Sequence, residues 1–195
     1  MSAAEQLFLL DVTPPGGAPA PLPFDECSED GRYRYQLGLR WGPGPLINFL
    51  LVNPSIATRH RPDPTWTRCL ARARALAARE DLGAPLLARL RRRGIPGGVV
   101  LTNLFALVSS KPKVLRTAAD PVGPGNDRHI HEVAKEAALV ICAWGNAGAL
   151  LGRGAAVRRD LETLGIPLHA LMVTKKGHPQ HPLFLPYDLE PFLWQ

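Results

Sequence analysis

Leu46-Ile47-Asn48-Phe49-Leu50-Leu51-Val52 runs straight into Asn53-Pro54-Ser55. A nearly unbroken apolar run without alternation is what a strand buried on both faces requires. The Asn-Pro-Ser that follows ends it, because proline cannot donate to a ladder and asparagine favours turns. The pattern recurs in Val99-Val100-Leu101-Thr102-Asn103-Leu104-Phe105, in Ala138-Leu139-Val140-Ile141-Cys142-Ala143-Trp144 stopped by Gly145, and in Leu168-His169-Ala170-Leu171-Met172-Val173. Between these strands, helix is expected over residues 65–93, interrupted near Gly83-Ala84-Pro85, then up to about residue 136 behind an Asn126 or Asp127 cap, then over 149–164. Such alternation predicts a three-layer α/β/α domain around a central, mostly parallel four-stranded sheet. Residues 32–41 alternate and carry aromatics, which predicts an additional N-terminal strand or hairpin before the Gly42-Pro43-Gly44-Pro45 turn. Residues 1–30 read as an arm, rich in Pro, Gly and Ala over 13–23, and residues 31–195 as a single domain.

The chain has 195 residues, 46% of them hydrophobic, which suffices for a core. Its net charge of +6 is compatible with a polyanionic partner, although many basic proteins bind none. Cys27, Cys69 and Cys142 form no zinc-type spacing, and His129 and His131 do not share a helical face. There is no P-loop pattern, and Gly152-Arg153-Gly154 does not follow a strand as a dinucleotide fingerprint would. No metal or cofactor is therefore expected. Residues 1–10 lack a basic region followed by an apolar leader, and no apolar run approaches about 20 residues. The expectation is a cytoplasmic monomer without membrane contact.

In parallel sheets, ligands bind off the carboxyl ends of the strands. Four polar segments leave those ends: Asn53-Pro54-Ser55, Asn103-Leu104-Phe105, Trp144-Gly145-Asn146, and residues 174–182, which hold Lys175, Lys176, His178 and His181. Each has a structural alternative. In it Asn53 is a turn former or cap, Asn103 a partner for strand-end backbone, Trp144 core, and the two histidines parts of a fixed Pro-rich loop.

Over residues 33–187 the chain resembles an uncharacterised bacterial and phage domain family, through Val52-Asn53-Pro54-Ser55, Asp63-Pro64-Thr65, Thr102-Asn103-Leu104-Phe105-Ala106, the run from Asp120-Pro121-Val122-Gly123-Pro124 to Asp127, Ala143-Trp144-Gly145 and His181-Pro182-Leu183. More remotely, the order and spacing of Asn53-Pro54, Thr102-Asn103, Trp144-Gly145 and His181-Pro182 resemble the uracil-DNA glycosylase superfamily. The Asp-Pro-Tyr-His motif of its fastest members is absent. That resemblance implies hydrolysis of an N-glycosidic bond in DNA. Asn53 would orient the water, Asn103 would read the base edge, and His181, or His178 in a competing register, would donate to the departing base. Phe105, Trp66 or Trp144 would stack on an extruded base beside Pro54 and Gly145, and Leu183 would fill the vacated space. Ser55 and Ser109 would hold phosphates, with Arg59, Arg61, Lys111, Lys175 and Lys176 supplying positive charge. Asp63, Asp120 and Asp127 are reserve general bases. DNA or a nucleotide is the expected partner. A non-catalytic nucleic-acid binder and a hydrolase of free nucleotides or modified bases are the alternatives.

Overall fold

The computed structural model describes residues 20–55, 57–58 and 61–195. Residues 13–19 of the expected loop, and Arg59, lie outside them. Strands β1 (Leu22–Cys27), β2 (Arg34–Arg40), β3 (Leu46–Leu51), β4 (Gly98–Asn103), β5 (Leu139–Cys142), β6 (Leu168–Ala170) and β7 (Phe192–Leu193) form one sheet in the order β1-β2-β4-β3-β5-β6-β7. The four apolar runs are the parallel centre, β4-β3-β5-β6. Antiparallel edges extend this expected four-stranded centre to seven strands: β1 and β2 form the expected N-terminal hairpin, and β7 is an edge strand beyond the expectation. Strand β1 falls inside the stretch read as an arm. It contains Pro23, which an edge strand tolerates and a sequence pattern counts against.

Helices α1 (Pro64–Ala78) and α2 (Ala84–Arg93) cover one face of the sheet, and α3 (Asn126–Glu136) and α4 (Arg153–Thr163) the other. In α1 the buried stripe Trp66, Cys69, Ala73 and Leu76 packs with Ile47, Phe49 and Leu101, as helical spacing dictates. Asp63 caps this helix: its Oδ1 accepts the Trp66 N–H at 2.7 Å. The cap of α3 is Gly125 in a left-handed conformation, φ 77°, rather than Asn126 or Asp127. Gly125 makes the turn with its backbone, which releases the Asn126 side chain for another task. Helix α4 begins at Arg153, later than expected, because Gly145–Gly152 winds as a 3-10 segment first.

The parallel strands run outward on both sides of β3, with β4 on one side and β5 and β6 on the other. The topological switch point therefore lies between the carboxyl ends of β3 and β5.

A β-bulge alters β2. Glu26 pairs with Gln36 and Cys27 pairs with Arg34, so Tyr35 is an extra residue. The bulge inverts the alternation beyond it. Arg34 lands on the face of Leu37 and Leu39, beneath α1. Tyr33 and Tyr35 join the α3 side, where Tyr35 stacks on His129 at 4.4 Å.

Much of the positive charge is engaged internally. Arg72, buried in α1, donates to the carbonyls of Leu185 and Pro186, and Arg68 donates to that of Leu183. Arg89 and Arg93, from a run that reads as a solvated helix end, donate to Ala138 and Ala137 carbonyls. The net charge is thus a poor guide to the charge available to a partner. Among the described residues, no helix is long and apolar enough to cross a membrane.

His169 is buried in β6, and burial pushes its pKa down to about 4. Below the ordinary value near 6.5, the unfolded chain takes up a proton that the folded one refuses, so stability is lost as pH falls from about 6.5 toward 4. Denaturant titrations at several pH values should show this loss, on the order of 2–3 kcal/mol from this group. His169→Gln should flatten the slope in that window.

Candidate functional site

A cavity of about 260 Å³ lies under the carboxyl ends of β3 and β4, on the α1 face. Leu37, Leu51 and Leu101 make its apolar floor. Its polar lining includes Asn53, Ser55, Asp63, Thr65, Asn103, Ser109, Ser110, His181 and Arg34. The pairing Leu51↔Asn103 explains part of this convergence: partners in adjacent parallel strands share a face, so Asn103 projects where Leu51 does. The two strand ends stay zipped beyond their last paired residues, with Leu104 and Phe105 N–H groups donating to Leu51 and Val52 carbonyls at 2.9 Å.

Asn103 is only 4% exposed, and among the described residues its side-chain amide makes no hydrogen bond; Oδ1 is buried without a partner. Its backbone is held firmly. Asn126 Nδ2 donates to the carbonyls of Asn103 (3.0 Å) and Leu104 (3.2 Å), and Arg153 Nε donates to Leu104 at 2.9 Å while its guanidinium pairs with Asp127. The Asp120–Asp127 run is therefore a clamp on the end of β4. Asp120 ties its own turn by accepting the Gly123 N–H at 2.9 Å. Neither Asp120 nor Asp127 lines the cavity, so these two reserve bases are corrected to structural roles.

Asn53 Nδ2 donates to the carbonyls of Pro54 (2.9 Å) and Ser109 (2.8 Å). Its nitrogen fixes the loop, and among the described residues nothing donates to its Oδ1. Asp63 accepts from Ser55 Oγ in addition to capping α1. The Ser109 hydroxyl bonds with the Lys111 backbone. Ser55 and Ser109 thus use their hydroxyls within the protein rather than holding them open for phosphate.

His181 reaches the cavity from the C-terminal tail, which Arg68 and Arg72 tether. Its Nδ1 accepts the Leu183 N–H at 3.3 Å, which places the ring proton on Nε2. Burial lowers its pKa, against an opposing pull from Asp63, so a neutral imidazole with an Nε2–H donor is the form at neutral pH. Gly145, φ +60°, lies against His181: a Cβ there would sit 3.7 Å from the His181 nitrogen. His178 does not line the cavity; its backbone closes the turn at Thr174.

Arg34 is the residue that the sequence pattern hides. Alternation puts it with solvent-facing Arg32 and Gln36, but the bulge turns it to the cavity wall at 7% exposure. It donates to the carbonyls of Ala57 and Ser55, while Nε stays buried without a partner among the described residues. Burial lowers its pKa, and Asp63 is among the charges opposing this.

The aromatic candidates lie away from the cavity. Trp66, 1% exposed, belongs to the α1 stripe facing the sheet; Phe105 and Trp144 are buried in the core cluster on the α3 and α4 side. Trp144 packs edge-on against Trp194, with glycines at 148 and 154 making room for it. None of the three lines the cavity. Leu183 is half-buried and also outside it. The outward apolar residue of that 3-10 turn is Phe184, 88% exposed. Arg61, Lys111, Lys175 and Lys176 are exposed and do not line the cavity.

An α/β domain wound in both directions from a central strand, with a cavity at the carboxyl ends of β3 and β4, is the class this architecture defines. The chain belongs to the family described as "Protein of unknown function (DUF1643)", whose model matches residues 34–81 and 75–183. Comparison with curated proteins and with solved structures returns no match.

Proposed function

We propose that the cavity holds a nucleobase and that the protein hydrolyses the N-glycosidic bond carrying it, as the likeness to uracil-DNA glycosylases suggests. The observation that carries this reading is the Asn103 amide, whose Oδ1 is buried without a partner among the described residues, in a cavity shared with His181 and Asn53. A base edge that offers one acceptor and one donor would satisfy both arms of that amide. As the C1′–N bond breaks, its electron pair goes to the base, and the His181 Nε2–H would stabilise the charge developing on a base oxygen. Water adds to the cationic sugar carbon, oriented by Asn53 Oδ1, and its proton leaves toward the Asp63 carboxylate or solvent. The products are free base and an abasic sugar.

The test is incubation with single- and double-stranded oligonucleotides carrying uracil or a mismatched base, followed by alkaline scission of abasic sites. Breaks are expected from the native protein and not from Asn53→Ala. The pH profile is part of the expectation: because burial holds His181 below its ordinary pKa, the rate should stay level as pH falls through about 6.5 and decline only below it. A rate that instead rises on protonation near 6.5 would assign the donor to an imidazolium and remove the neutral-histidine role.

One observation favours a second reading, a binder without hydrolysis. Asn53 and Asp63 already make structural bonds through Nδ2 and both carboxylate oxygens, which leaves weak means of activating water. Base-dependent binding without scission would support it.

A further inference from the structure

The base cavity adjoins a second, larger depression of about 820 Å³. Val52 and Ala147 wall both. The remaining walls are the 3-10 turn Pro112–Arg116 with Thr117, and the 3-10 segment Gly145–Gly152. Lys113 and Arg116 line this depression, and no carboxylate does. Both cations are exposed, and neither forms an ion pair or a side-chain hydrogen bond with a described residue. This sets them apart from Arg34, Arg68, Arg72, Arg89, Arg93 and Arg153, each of which holds main-chain carbonyls in place.

Leu151, on the same rim, is the single non-glycine among the described residues with positive φ, at 53°. It is also 69% exposed. A leucine in the left-handed region is strained, and burial of its own side chain does not offset that strain here. Strain of this kind collects at ligand sites. Size adds a further constraint. The inner cavity, at about 260 Å³, is smaller than the roughly 300–1,000 Å³ of pockets that enclose a drug-sized ligand, so it suits a ring without its sugar and phosphates.

We infer that the outer depression is the path of a nucleic-acid strand. One base enters the inner cavity, an adjoining phosphodiester lies against Lys113 and Arg116, and Leu151 supports the neighbouring sugar or base. This rests on the nucleobase reading and deepens it: the substrate is a polynucleotide rather than a free nucleotide.

The test is fluorescence polarisation with a labelled single-stranded oligodeoxynucleotide of about fifteen nucleotides carrying one uracil, repeated at several salt concentrations and in competition with deoxyuridine monophosphate. The native protein should bind the strand far more tightly than the mononucleotide, with affinity falling as salt rises. The double variant Lys113→Glu/Arg116→Glu should bind at least about tenfold more weakly and lower the slope of log affinity against log salt by roughly 0.7, the value for one phosphate contact. Both side chains are exposed, so thermal unfolding of this variant should match the native protein. Asn103→Ala should leave the salt slope unchanged and erase the preference for the uracil strand over one with an abasic site. If the native protein does not bind the strand, or the charge-reversed variant keeps the native affinity and slope, the strand path is overturned. If only Asn103→Ala is without effect, the strand path stands and the nucleobase reading fails.

Discussion

Asn103→Ala is expected to lower single-turnover base release by roughly 10²- to 10³-fold, the effect of deleting one oriented polar group that acts as charge develops. It should leave the melting temperature unchanged or raise it. The two effects have one cause. The native Oδ1 is buried with no partner among the described residues, so the folded state carries an unmet polar group that alanine removes. A residue that held the end of β4 together through its side chain would behave oppositely, losing stability and function together. The clamp on that strand end works through the Asn103 and Leu104 carbonyls, which alanine retains. Thermal unfolding alongside a scission assay separates the cases. A large fall in melting temperature would show that Asn103 is structural.

Trp66→Ala should destabilise the protein by about 3–5 kcal/mol, against a total stability of about 5–15 kcal/mol for a domain of this kind. Trp66 is fully buried between α1 and the sheet among Phe49, Cys69 and Ala73, so truncation leaves a cavity that its close-packed neighbours fill only in part. The folded fraction should keep its affinity for base. Urea unfolding measures the first quantity and polarisation of a base-containing oligonucleotide the second. Lost affinity at nearly unchanged stability would return Trp66 to the stacking role that the glycosylase resemblance implies.

The parallel centre of the sheet was legible because continuous apolar runs carry their own signal. Asn53, Asn103 and His181 were legible because the carboxyl-end rule needs only strand direction. What escaped the sequence depends on register and on main-chain carbonyls, which leave no composition signal. One extra residue at Tyr35 reversed the facing of Arg34 and carried it from the solvent pattern to the cavity wall. Asn126 follows a glycine that makes the turn without it, so what looked like a cap is a clamp two segments away. The arginines of α1 and α2 look like surface charge until their carbonyl partners are known. The resemblance implies stacking roles for Phe105 and Trp66, but side-chain direction, set by helix phase and by the fold of the strand end, sends both into the core.

The tether between α1 and the tail has a consequence for biosynthesis. Arg72 reaches carbonyls 113 and 114 positions later in the chain, and the segment it grips carries His181. Emerging from the ribosome amino end first, the chain completes β3, α1 and β4 long before that imidazole exists. Asn53 and Asn103 are therefore both synthesised before His181 is added to the cavity they line. The cavity wall is completed only when the segment carrying His181 docks onto the Arg68 and Arg72 guanidinium groups.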